Sequence, residues 1–298
     1  MAVRERIDTT GALALIGFSA LLGFNQVVIR VVNDGLQPVF FAGLRSVGAI
    51  FCIWLWFAIR KRSLGLKRED LKPGLLIGAF FAAEFILLFN ALDLTTVTRV
   101  SVIFYSMPLW LALMAHFFIP GERITVPKAT GQALAFVGVA IAIIWRSGGG
   151  EASLVGDLLA LFAALCWAGI AMIARTGLKD VASDRQLVWQ VFVSAPILML
   201  AAPLFGPLIR DLQPIHLWGL LFQIVAVVTF GFALWLWLLS VYPAASVAAF
   251  SFLTPVFGVF FGWIFLNETL GLPVIVALVL VSLGLILINR PVHVPQKV

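Results

Sequence analysis

The sequence predicts an all-α membrane protein of ten transmembrane helices, arranged as two inverted repeats of five with both termini cytoplasmic. Three observations predict it: the composition, ten apolar runs of spanning length, and an internal duplication with an odd number of helices in each copy. Of 298 residues, 62% are hydrophobic and only 11% are charged, where a soluble domain carries about 25% charged residues. Too few polar groups remain to cover a soluble surface. A water-soluble enzyme, a disordered chain and a disulfide scaffold are thereby excluded.

The runs are taken in chain order. Residues 11–29 follow Arg4 and Arg6 and are too long for a signal-peptide core, so this run is expected to stay as the first helix. Residues 38–59 and 73–92 flank the longest and most basic connection, from Arg60 to Lys72. Residues 100–119 carry Pro108 in mid-run, and residues 129–145 are rich in small side chains. The second set comprises residues 158–174, 186–205, 217–241, 244–266 and 270–288. Each run suits a hydrocarbon core of about 30 Å. None alternates polar and apolar positions as a barrel strand would, so helices are expected.

Charge sets the direction. With the N-terminus inside, the inside segments hold fifteen basic residues and the outside segments four, namely Arg30, Arg99, Arg146 and Arg210. That bias places both termini in the cytoplasm. The net charge of +6 is therefore topogenic, and the expected surroundings are a lipid bilayer with no nucleic acid. Cys52 and Cys166 both fall in apolar runs and read as small hydrophobes. The three histidines lack metal spacing, so neither a metal nor a cofactor is expected.

The chain repeats itself. Gly11 aligns with Gly156 at an offset of 145, Arg99–Pro108 with Ser246–Pro255 at 147, and Glu122, Pro127 and Gly138 with Glu268, Pro273 and Gly284 at 146. The halves are read as residues 1–147 and 148–298 of one unit. Because five is odd, the second copy must enter the membrane from the opposite side. Such repeats place a site near mid-bilayer and permit alternating access. A duplicated chain supplies both halves itself, so a monomeric unit is expected.

Two charged side chains lie deep within the runs, Arg45 and Glu84. A charge there costs about 2.5–3.5 kcal/mol and needs a partner or a wet cavity. Their estimated depths, about 10 and 12 Å from the outer end at 1.5 Å per residue, allow a buried ion pair or a role in the pathway. Their counterparts Gln190 and Gly231 are uncharged, so no duplicated ion-binding pair exists. Asn25 and Gln26, two adjacent amides in the first run, are the best cavity candidates, with interhelical hydrogen bonding as the alternative. Tyr105, Trp110, Trp167, Trp189 and Phe250 lie centrally in runs rather than at interfacial ends, and Phe81 is grouped with them as substrate-binding. Aromatic walls with few polar groups suit amphipathic or aromatic solutes. Pro108 and Pro255 read as mid-span kinks or hinges. Glu122 and Glu268 read as caps at equivalent cytoplasmic helix boundaries.

The fourth run with Pro108 leading into Gly121-Glu122-Arg123, its echo Pro255 leading into Asn267-Glu268-Thr269, and the stretch Ala164-Leu-Cys-Trp-Ala-Gly169 resemble the EamA branch of the drug/metabolite transporter superfamily. The first half departs from the pattern, with Leu22 where tryptophan is usual. The resemblance covers essentially the whole chain and is strongest to aromatic amino-acid exporters. It implies that runs five and ten pair through the small residues Gly131, Ala135, Gly138 and Ala142. It implies a bacterial inner-membrane transporter, not an enzyme. The expected function is export of small amphipathic metabolites, amino acids including aromatic ones, by alternating access through a central cavity. The alternatives are a membrane-embedded lipid-acting enzyme, for which no catalytic motif is visible, and a non-transporting receptor or assembly factor.

Overall fold

The fold follows from apolar helices that must satisfy their backbones internally and can gain only packing from one another. The computed structural model describes residues 7–59, 61, 67–120, 124–145, 153–242, 247 and 250–288. Among these, the chain is helical throughout and no strand is formed. Eight helices are long and apolar enough to cross a membrane, and two shorter apolar helices accompany them.

Helix α1 spans Thr9–Asn33, started by Asp8, whose carboxylate accepts from the Gly11 amide at 2.8 Å. Helices α2 (Pro38–Ile59) and α3 (Leu71–Leu94) follow. The fourth apolar run is broken into α4 (Val97–Phe104) and α5 (Met107–Phe118). Helix α6 spans Val126–Ile144, α7 spans Leu154–Thr176 from its Ser153 cap, and α8 spans Ser183–Ala201 around an internal Pro196. The eighth run is composite: α9 (Pro214–Phe222), a π-helical stretch over Gln223–Gly231, and α10 (Phe232–Val241). A 3₁₀ turn over Phe250–Phe252 leads into α11 (Leu253–Leu266), which ends on Asn267 in the left-handed region (φ 52°), and α12 spans Leu272–Ile288.

The breaks correct the expected kinks. Pro108 lies in the first turn of α5, and Pro255 is the third residue of α11. Proline is tolerated there because the first amides of a helix have no intrahelical acceptor. Each proline thus starts the second half of a broken run instead of bending a continuous one.

Neighbouring helices exchange consistently between the halves. α6 packs on α12; α3 packs on α7 and α8, as α9–α10 and the π-stretch pack on α1 and α2; α1 packs on α11, as α7 packs on α4 and α5. Individual contacts repeat too. A Cβ on Gly131 would lie 2.8 Å from the Gly284 carbonyl oxygen, and one on Gly138 2.9 Å from that of Ala277. Gly11 abuts Tyr242 just as Gly156 abuts Thr95. In an apolar solvent this closeness of small residues is what holds helices together.

Candidate substrate site

One end of the bundle is tied by polar contacts between the halves. The Arg99 guanidinium meets the Asp157 carboxylate at 2.6 Å (Nη2–Oδ2) and 3.0 Å (Nε–Oδ1), with side chains 5% and 0% exposed. Arg99 also donates to the Ala142 carbonyl, and Thr95 Oγ1 donates to Asp157 at 3.1 Å. Arg210 grips Asp93 with two bonds, 2.7 and 3.0 Å, and donates to the Asn33 carbonyl. Glu268 accepts from the Val97 and Thr98 amides at 2.6 and 2.8 Å.

These ties revise three expectations. Arg99 is not a loop cation; it is buried against a carboxylate on another helix. Arg30, paired with Asp34 at 2.9 Å, and Arg210 are likewise paired, so the sparse cations of this end have local partners. Glu268 does cap a helix, but the helix is α4, reached across the fold, and not the one that follows it. Glu268 therefore lies at the end of the bundle that holds the α3–α4 turn; Glu122, its counterpart in sequence, lies outside the described residues. Burial pushes the Glu268 carboxyl above the usual carboxylate range, opposed by the two amides and by the Arg30 charge.

Asn25 and Gln26 are committed to joining helices. Gln223 on the π-stretch donates to the Asn25 side chain, and Ser101 on α4 donates to Gln26 at 2.7 Å. Tyr105 Oη donates to the Leu22 carbonyl at 2.9 Å. These bonds draw α1, α4 and the eighth run around the centre. Gln26 Nε2 and Gln223 Oε1 stay buried without a partner.

Arg45 and Glu84 occupy the inward faces of α2 and α3, 8% and 5% exposed. Among the described contacts they form no ion pair, which corrects the direct pairing their matched depths allowed. The Arg45 guanidinium carbon instead lies 4.1 Å over the centre of the Phe85 ring, with Phe89 behind it at 5.7 Å. A guanidinium is drawn to the negative face of a ring, and Phe85, next to Glu84 in sequence, takes that place. Among the described residues the Glu84 carboxylate accepts no hydrogen bond, and neither group is completely sealed by its neighbours. Tyr105, Cys166 and Arg45 lie within electrostatic reach of Glu84.

Aromatic side chains group around the two charges. Phe81 meets Phe85 edge-on at 4.5 Å. Trp167 stacks on Phe104 at 4.9 Å and meets Tyr105 at 6.0 Å. Of the expected set, Phe81, Glu84, Tyr105 and Trp167 gather here together with Arg45. Three do not. Trp110 donates to Ser106 and packs toward Phe136 on α6. Trp189 is wedged where α3 has Gly74 and Gly78. Phe250 joins Leu15, Leu238 and Tyr242 at the N-terminal end of α1. The missed members are Phe85, Phe104, Cys166 and the tie between Arg99 and Asp157.

An open cleft enters from the other end between α2, α8 and the eighth run, lined by Cys52, Ile53, Trp56, Leu187 and Val228 among others. Two of its lining residues, Ile53 and Phe57, belong to a buried cluster with Ala49, Val188 and Val191. Arg45 lies two helical turns beyond Ile53 on the same face of α2, about 12 Å at 1.5 Å per residue.

Spanning helices with broken segments around a charged, aromatic-walled centre define the class of membrane transporters rather than enzymes. Residues 9–144 and 154–290 each match the EamA-like transporter family, so the chain belongs to that family and contains its domain twice. Among relatives, it is 23% identical over 277 residues to the uncharacterized transporter YoaV of Bacillus subtilis, covering 92% of this chain and 94% of that one. It is 27% identical over 286 residues to a probable amino-acid metabolite efflux pump of Escherichia coli, covering 92% and 93%. A solved protein structure superposes with a TM-score of 0.67 at 17% identity, over 93% of this chain and 97% of that one, which establishes the shared fold.

Proposed function

We propose that this protein is a secondary transporter that exports small amphipathic metabolites, amino acids including aromatic ones, by alternating access through the central space. The observation that carries this reading is Arg45 and Glu84: opposite charges, buried on adjacent helices, without an ion pair among the described residues and with the aromatic side chains of Phe81, Tyr105 and Trp167 grouped around them. Buried charges that serve only the fold are paired, because an unpaired one is costly. The relative named as a probable amino-acid metabolite efflux pump supports the substrate class.

In this reading the two family domains are inserted upside down relative to one another, since five spans separate equivalent positions. Both termini face the cytoplasm of a bacterial inner membrane, in keeping with the basic bias of the N-terminal side. The tied end is then the outer gate. The cleft between α2, α8 and the eighth run is the inner mouth. A single chain provides both halves.

The test is efflux from proteoliposomes holding the purified protein and a panel of labelled amino acids. Release above that of protein-free vesicles for at least one of them is expected; none for any amino acid would overturn the reading. The rival, a non-transporting receptor, would bind ligand yet release nothing.

A further inference from the structure

Among the described residues two arginines and two carboxylates are buried, and they are treated differently. Arg99 and Asp157 lie in direct contact, with Thr95 and the Ala142 carbonyl using further bonding positions. The two charges of that pair neutralise one another directly. Arg45 and Glu84 have the same chemistry and similar burial, but they are held more than a salt-bridge distance apart, and the guanidinium carbon lies 4.1 Å over the centre of the Phe85 ring. A cation–ring contact uses no hydrogen-bond acceptor and leaves the N–H edge, which is the part that binds carboxylate in bidentate fashion. Glu84 keeps every lone pair of its carboxylate. Neither charge has a counterpart in the second half, where Gln190 and Gly231 stand. The site is therefore single.

We infer that Arg45 and Glu84 form a two-point clamp for one zwitterion: the Arg45 N–H edge takes an α-carboxylate, the Glu84 carboxylate takes the α-ammonium, and the solute's side chain lies against Tyr105 and Trp167. This deepens the transport reading and rests on it. A zwitterion completes both protein charges and adds no net charge to the membrane interior. A lone amine completes Glu84 but leaves Arg45 unmatched, and a lone acid does the reverse; each leaves a desolvated charge, which is the strongest penalty a site can set against the wrong ligand. The aromatic wall tolerates varied side chains because stacking and desolvation are weakly directional. The clamp therefore recognises the amino-acid backbone, and the wall accepts the rest.

The test uses three probes of one shape: L-phenylalanine, phenethylamine, which lacks the carboxylate, and 3-phenylpropanoate, which lacks the ammonium, with the same triplet built on leucine. Binding to purified protein and flux in proteoliposomes are measured separately for the unaltered protein, Arg45→Gln and Glu84→Gln. Gel filtration and thermal unfolding verify that each variant is folded. The unaltered protein is expected to bind an amino acid at least 30-fold more tightly than either analogue. Arg45→Gln should lose that preference over the amine while still discriminating against the acid, and Glu84→Gln should show the mirror image. Equal effects of the two variants on all three probes, or no effect on any, would overturn the clamp. Amino-acid binding with the crosswise pattern but without flux would overturn the transport reading and leave the clamp standing. Flux with indifference to both charges would do the opposite, and neither binding nor flux would overturn both.

Discussion

Arg99 and Asp157, one from each family domain, meet as a buried ion pair at 2.6 Å in the tied end of the bundle. The two residues aligned with them are Ser246 and Ala12, so the duplication does not reproduce this pair at the other end. The tied end thus carries a charge pair that the duplication did not copy, and that has measurable consequences.

Removing one member of a fully buried pair strands the other. Arg99→Met is expected to destabilise the folded protein by about 3–5 kcal/mol, because Asp157 is left charged without compensation. The double variant Arg99→Met with Asp157→Leu should recover most of the loss. Unfolding in detergent measures both, and a double variant as unstable as the single one would show that the pair contributes more than mutual neutralisation.

The seam between α6 and α12 depends on the absence of side chains. A Cβ on Gly284 would come within 2.6 Å of the Gly131 carbonyl oxygen. Gly284→Leu is expected to cost about 1–3 kcal/mol or more through overpacking. Gly17→Ala, at an exposed site with nothing within 4 Å, should leave stability unchanged or slightly higher. Comparable losses at both positions would contradict the packing described.

Glu268 sets a pH dependence. Its folded carboxyl is raised by burial despite the amides of Val97 and Thr98. Above the ordinary carboxylate pKa and up to the raised one, the folded state holds a proton that the unfolded state has released, so stability falls as pH rises through that window. The contribution is complete below the unfolded value and lost above the folded one. Thermal unfolding across this range should show a downward slope in the unaltered protein that Glu268→Gln removes. An identical slope in the variant would place the titration elsewhere.

Two tryptophans should part company. Trp189 fills the notch at Gly74 and Gly78, so Trp189→Ala is expected to cost about 3–5 kcal/mol of stability while leaving substrate preference unchanged. Trp167 stacks on Phe104 and meets Tyr105, in the group assigned to the substrate, so Trp167→Ala should weaken amino-acid binding by roughly tenfold, the equivalent of about 1.4 kcal/mol. Altered preference on changing Trp189, measured by competition among amino acids, would return that residue to the site.

Eight helices of spanning length and two shorter apolar ones were legible because a bilayer demands length and apolarity, and both are written locally; the second helix begins at Pro38 and ends at Ile59 as expected. Close packing of α6 was legible from the spacing of Gly131, Ala135 and Gly138, and the family resemblance named α12 as its partner. Breaks were harder to read. A proline announces that a helix is interrupted nearby, but only the structure shows that the interruption precedes Pro108 and Pro255. The π-stretch at Gln223–Gly231 has no proline to announce it. Depth matching suggested contact between Arg45 and Glu84, where Phe85 intervenes. Applied to Arg99 and Asp157 it would have found a true contact, but Arg99 stands at the edge of an apolar run and reads as a loop residue. Centrality in a run proved a weak guide to the site, because a helix has several faces. Trp110, Trp189 and Phe250 are central and point elsewhere, and Asn25 and Gln26 spend their hydrogen bonds on other helices.

Counterflow in proteoliposomes tests alternating access most directly. Vesicles loaded with unlabelled L-phenylalanine are diluted into a trace of labelled L-phenylalanine. A site exposed to one side at a time should drive the label transiently above its external concentration before it decays. Simple equilibration without that overshoot, alongside measurable permeation, would reveal an open pore and contradict the two-sided carrier.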